Sequence, residues 1–141
     1  MKNLFLSISL LFILFSCSSG PKTPGAGIQF FTGNFDAAVT EAAKQNKPVF
    51  IYGHTSWCGF CKKMNRTTFL EKEVDDYMNK TFINLSYDLE KGEGIYIAGK
   101  YSLKSFPAYV ILDASGELVG ISGGYMDTSK FLAWIKGQTN S

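Results

Sequence analysis

The sequence predicts an α/β domain built on a mixed β-sheet. Three observations carry that expectation. Strand-like apolar runs alternate along the chain with segments of helical periodicity. The last two strand runs are separated only by a tight turn, which makes that pair antiparallel where the earlier crossovers are parallel. Apolar residues make up 45% of the 141, enough for one real core in a single domain and too many for a disordered chain. The net charge of +2 is too weak for a nucleic-acid or anionic-lipid surface, and no basic run interleaved with aromatics appears, so nucleic acid is excluded as a partner.

The first sixteen residues belong to a different kind of segment. Lys2 precedes "LFLSISLLFILF", a run of signal-peptide length that is too short to span a bilayer comfortably. Leu14-Phe15-Ser16-Cys17 resembles the lipobox of bacterial lipoproteins, which implies a signal peptide over 1–16 and a lipid on Cys17. An unpaired third cysteine in an exported chain has no other evident role. Residues 18–27, "SSGPKTPGAG", have no apolar periodicity and read with Cys17 as a flexible tether over 17–27. Ten such residues span roughly 17–19 Å on average and near 35 Å fully stretched. The domain then occupies 28–141, held at the cell envelope on its periplasmic or outer side.

Within the domain, "IQFF" (28–31) reads as a short strand stopped by "TGN". Asn34 is a good helix cap, and Phe35, Ala38, Val39 and Ala42 recur at helical spacing until Lys47-Pro48. "VFIYGH" (49–54) has the β-rich character of a buried strand. The segment 61–80 reads as helix, interrupted near Asn65–Thr68, and "TFINLSYD" (81–88) as the next strand. A charged turn, "LEKGEG", leads to a short helix over "IYIAGKY". "AYVILD" and "ELVGIS" form a hairpin around "ASG", and Asp127 caps a last helix that Gly137 ends.

The chemistry concentrates in "SWCGFCKKM" (56–64), where Cys58 and Cys61 stand two residues apart. A closed zinc site needs four ligands, and only these two and the lone His54 are close in sequence. As a staple the pair closes too small a loop to constrain the unfolded chain much. Thiol–disulfide exchange fits the placement. A strand leads in and a helix leads out, so Cys58 falls at a helix N-terminus, where unsatisfied N–H groups and the helix dipole favour a thiolate. Lys62 and Lys63 add positive charge. A Cys58 thiol lowered from about 8.5 to about 7 would be roughly half thiolate at neutral pH instead of roughly 3%. Cys61, one turn in, is placed to resolve a mixed disulfide on Cys58. Trp57 offers either a flat apolar contact for a partner or plain core packing.

"WCGFCK" resembles the active-site motif of the thioredoxin family, and the likeness extends over roughly 35–137. "KPVFIYGHTSWCGFCKKM" resembles its strand, active site and helix, and "KYSLKSFPAYVILDASGELVG" its cis-proline segment. The resemblance implies a thioredoxin-like fold, a redox disulfide between Cys58 and Cys61, and a cis Pro107 facing it. Proline there has no N–H to compete for the thiolate. Phe106 would offer main-chain groups to an extended substrate, with Trp57 beside it, and Gly123-Gly124 resembles the family's glycine-containing turn. Two positions depart from the pattern. Tyr52 stands where the family often has a buried acid, and Asn84 where it often has a lysine. His54 shares a strand face with Tyr52 and is the candidate for proton transfer, against a purely structural role. Phe60 replaces the proline of thioredoxin, which implies a potential between about −270 and about −180 mV.

These readings combine in a membrane-tethered, extracytoplasmic thiol–disulfide oxidoreductase that reduces or isomerises protein disulfides. It needs no cofactor and no metal, because the two sulfurs carry the electrons, and it draws them from a membrane donor. The alternatives are a binding or chaperone module that keeps the groove without turnover, and copper delivery through Cys58, Cys61 and His54.

Overall fold

The computed structural model describes residues 26–139, in which four strands and five α-helices follow the expected alternation. The signal peptide, Cys17 and most of the tether lie outside the described residues. Helix α1 (Phe35–Gln45) leads to β1 (Val49–His54), and α2 (Gly59–Arg66), a 3₁₀ turn (Thr68–Leu70) and α3 (Lys72–Thr81) lead to β2 (Ile83–Asp88). Helix α4 (Glu93–Lys100), the hairpin β3 (Ala108–Leu112) and β4 (Leu118–Gly123), and α5 (Thr128–Thr139) complete the chain. The sheet order is β2-β1-β3-β4, with β1 parallel to β2 and antiparallel to β3, and β3 antiparallel to β4.

Strand alternation divides the core into two halves. From β1 and β3, Phe50, Tyr52, Tyr109 and Ile111 face α2, α3 and α5, and meet Met64, Met78, Phe131 and Ile135. Val49, Ile51, Val110 and Leu112 face the other way, onto Phe35, Ala38 and Ala42 of α1 and Ile97 of α4. Both cysteines belong to the first half, where Phe50, Tyr109 and Phe131 form a contiguous aromatic cluster. The cysteine pair therefore stands on the aromatic half of the core.

The helix ends follow from their residues. The Asn34 side chain accepts the Ala37 N–H, and Asn46, in left-handed conformation, closes α1. The Asp127 carboxylate accepts the Lys130 N–H at the start of α5. Two expectations need correction. "IQFF" is not a strand: it lies along the edge of β2 with one ladder-like bond, Phe31 N–H to the Asn84 carbonyl at 2.7 Å. Side-chain bonds fix it instead, since Asn79 donates to the Gly27 carbonyl and accepts the Gln29 N–H. Gly137 does not end α5, which continues to Thr139 because Ile135 just before it is fully buried.

Candidate active site

Cys58 and Cys61 stand where β1 gives way to α2, joined by a disulfide with their Cα atoms 5.3 Å apart. The Thr55 carbonyl accepts the Cys58 N–H at 3.3 Å, which turns the chain out of the sheet. Cys58 is then the N-cap of α2, and its sulfur accepts the Cys61 N–H at 3.0 Å. A serine or aspartate oxygen does this at an ordinary cap. A sulfur in that position receives an N–H bond and the positive end of the helix, both of which favour the thiolate once the disulfide opens. Cys58 is 4% exposed and Cys61 2%, so the outer sulfur is only just within reach of a partner.

Two aromatic pairs flank the sulfurs. On one side Trp57, 62% exposed, packs edge-on to Phe106 at 5.5 Å, and its indole N–H donates to Glu90 at 3.0 Å. On the other side Phe60, 61% exposed, stacks on Tyr125, over which Lys63 Nζ lies 4.1 Å from the ring centre. The Phe106–Pro107 peptide is cis, as the family pattern implies, and the Pro107 carbonyl accepts the Gly124 N–H at 2.7 Å. A Cβ at Gly123 would run into the Ser105 hydroxyl, so glycine lets the end of β4 close against the proline segment.

Behind the pair, Tyr52 is buried and its hydroxyl donates to the Cys61 carbonyl at 3.2 Å. Burial pushes its phenol well above the ordinary tyrosine range, with the Asn65 side chain pulling weakly the other way, so it stays neutral. The Asn84 amide donates to the Gln29 and Met78 carbonyls, a structural duty. The two positions that depart from the family pattern thus bring no charge to the resolving cysteine. His54 lies beside Tyr52 with ring centres 5.3 Å apart, opposite Asp88 in the parallel register. Burial lowers its pKa, the Asp88 carboxylate raises it and Lys91 lowers it. Among the described residues no hydrogen bond joins His54 to either cysteine.

Trp57, next to Cys58, thus packs against Phe106, which leads into the cis Pro107, and His54 stays at the end of the strand before the pair. Three participants escape a reading of the sequence. Glu90 and Tyr125 reach the site across long stretches of chain, and only the glycine pair preceding Tyr125 hints at its place. Asn65 appears in the sequence merely as a helix interruption, yet it lines a crevice of about 200 Å³ with Tyr52 and Ser86.

Comparison with known proteins bears on this arrangement. Residues 31–114 match the family model described as thioredoxin-like. The thiol:disulfide interchange protein DsbD of Haemophilus ducreyi is 24% identical over 124 residues, which are 85% of this chain and 22% of that protein. The chain thus spans only about a fifth of the length of the DsbD proteins it matches. A candidate disulphide-isomerase of Bacteroides thetaiotaomicron, solved in solution, is 35% identical with a TM-score of 0.73, covering 82% of this chain and 95% of that one. The oxidised C-terminal domain of DsbD from Neisseria meningitidis shares the fold, with a TM-score of 0.64 at 23% identity over 79% of this chain and 98% of its own.

Proposed function

This chain belongs to the thioredoxin-like family, and on that premise we propose that it is a thiol–disulfide oxidoreductase tethered at the outer side of a bacterial membrane, reducing or isomerising disulfides in proteins. The observation that supports the reading most is the Cys58 sulfur at the N-cap of α2, accepting the Cys61 N–H. In the dithiol form the Cys58 thiolate attacks one sulfur of a substrate disulfide and expels the other as a thiolate. The Cys61 sulfur, having lost its proton, then attacks Cys58. Substrate leaves as a second thiol, and the Cys58–Cys61 bond holds the two oxidising equivalents. A dithiol donor in the membrane returns two electrons to close the cycle. Trp57, Phe106 and Pro107 form the edge on which an extended substrate segment lies.

Tyr52 and Asn84 supply no carboxylate to receive the proton on Cys61. His54, two residues beyond Tyr52 on β1, is the candidate to take it, and the crevice lined by Tyr52, Asn65 and Ser86 is an alternative route for water. For the tether, the reading rests on the sequence around Cys17; among the described residues no helix is long and apolar enough to cross a membrane.

Single-cysteine variants test the division of labour. Cys61→Ser should accumulate mixed disulfides with envelope proteins, seen as high-mass bands lost on reduction, and Cys58→Ser should not. The opposite pattern reverses the assignment. Wild type should partition into detergent with an acylated N-terminal mass, and Cys17→Ala into water.

A further inference from the structure

The two flanks of the disulfide carry opposite charge. On the Trp57 side stand Glu90, held by the indole N–H, and Asp88, paired with Lys91 at 3.0 Å. On the Phe60 side, α2 presents Lys62, Lys63 and Arg66, and among the described residues none of the three forms an ion pair. Gly59, Phe60, Lys63 and Arg66 line a shallow groove of about 430 Å³ that begins at the residues between the two cysteines, and no carboxylate lines it. The ring of Tyr125 underlies the Lys63 ammonium, so that charge is held over an aromatic face next to the site. Phe60, stacked on Tyr125, forms an apolar wall whose other side is exposed.

A groove of this composition suits a carboxylate beside an apolar contact. Arg66 presents a planar fork that matches a carboxylate, and Lys63 a point charge. Building on the oxidoreductase reading, we propose that the groove of Phe60, Lys63 and Arg66 selects protein segments carrying an acidic residue close to the reacting cysteine. Such a segment lies across Pro107 with its acidic flank over α2. The carboxylate of Glu90 at the opposite end repels the reversed placement, so the same charges fix which way round the segment binds. Charge complementarity of this kind acts chiefly on the rate of productive encounter and is screened by salt.

The test uses the full-length chain, reduced and desalted, and three ten-residue peptides. Each peptide has one central cysteine as a mixed disulfide with 2-mercaptoethanol, flanked by glutamates, glutamines or lysines. In each reaction the protein dithiol becomes the Cys58–Cys61 disulfide, while peptide thiol and 2-mercaptoethanol are released, so electrons balance. The expected order is glutamate over glutamine over lysine, with about a tenfold spread in second-order rate constant at low ionic strength. That spread should shrink to less than about twofold in 1 M salt, where the Debye length is about 3 Å. In Lys63→Glu/Arg66→Glu the order should invert. Equal rates for the three peptides with wild type, or an unchanged order in the double variant, would overturn the inference while leaving the oxidoreductase reading standing. No release of peptide thiol from any peptide would overturn that reading, and the inference with it.

Discussion

At Tyr52 a phenol meets the carbonyl of the resolving cysteine in place of a carboxylate. Tyr52→Phe removes the 3.2 Å hydrogen bond and should cost about 1 kcal/mol of stability, read as a lower urea midpoint at unchanged slope. Because burial holds the phenol neutral throughout the neutral range, the pH profile of exchange should keep its shape in that variant. His54 makes the contrasting prediction. Its folded pKa lies below the ordinary value of about 6.5, so below that pH the unfolded chain binds more protons than the native one. Stability is therefore full above about 6.5 and declines as pH falls below it. The chain has one histidine, so His54→Gln should flatten the change in unfolding midpoint between pH 7 and pH 5. A slope that persists assigns it to carboxylates. The cysteines and Pro107 were legible because one short motif each defines them. Glu90 was not, because its link to Trp57 joins residues 33 apart and no local pattern records it.

Helix α2 is short, and its N-cap and first turn carry the disulfide. The N–H groups of that turn have no partner within the helix, and the Cys61 N–H is already aimed at sulfur. Phe60→Pro deletes one of these donors and adds a residue whose fixed φ suits the first turn. The reduced, thiolate-bearing form loses stabilisation relative to the disulfide, so the potential should move downward from its expected place between about −270 and −180 mV. Equilibration against glutathione followed by thiol alkylation measures it, and an upward shift would contradict the argument. Helix α4 offers a matched pair. A Cβ at Gly94 would collide with the Asp88 backbone carbonyl, whereas at Gly99 nothing lies in its way. Gly94→Ala should destabilise by roughly 1–3 kcal/mol and Gly99→Ala stabilise by roughly 0.5–1 kcal/mol, seen in thermal unfolding. Elements with a strong local period, such as β1 and α1, were legible outright, and so was the break between α2 and α3. "IQFF" misled because its residues have strand propensity, while its conformation is decided by Asn79, some 50 residues away.

Across the whole molecule, residues 26–31 act as a strap over the β2 edge, blunting it with side-chain bonds in place of a fifth strand. Asn79→Ala removes two of the bonds that hold the strap and should cost about 1–2 kcal/mol, with faster proteolysis ahead of residue 31 under native conditions. If cleavage there is no faster, the bonds to Asp75 and Asn84 and the packing of Ile28 and Phe30 hold the strap without Asn79. The same clamp has a mechanical meaning. The Gly27 N–H is bound to the buried Asp75 carboxylate at 3.2 Å and its carbonyl to Asn79, so both grips belong to α3. A pull from the N-terminal side would meet α3 first, and the 3₁₀ turn stands between that helix and α2. Gly27 is placed as a cable clamp is at a plug: its two bonds would take up a pull from the N-terminal side before it reached Cys58 and Cys61.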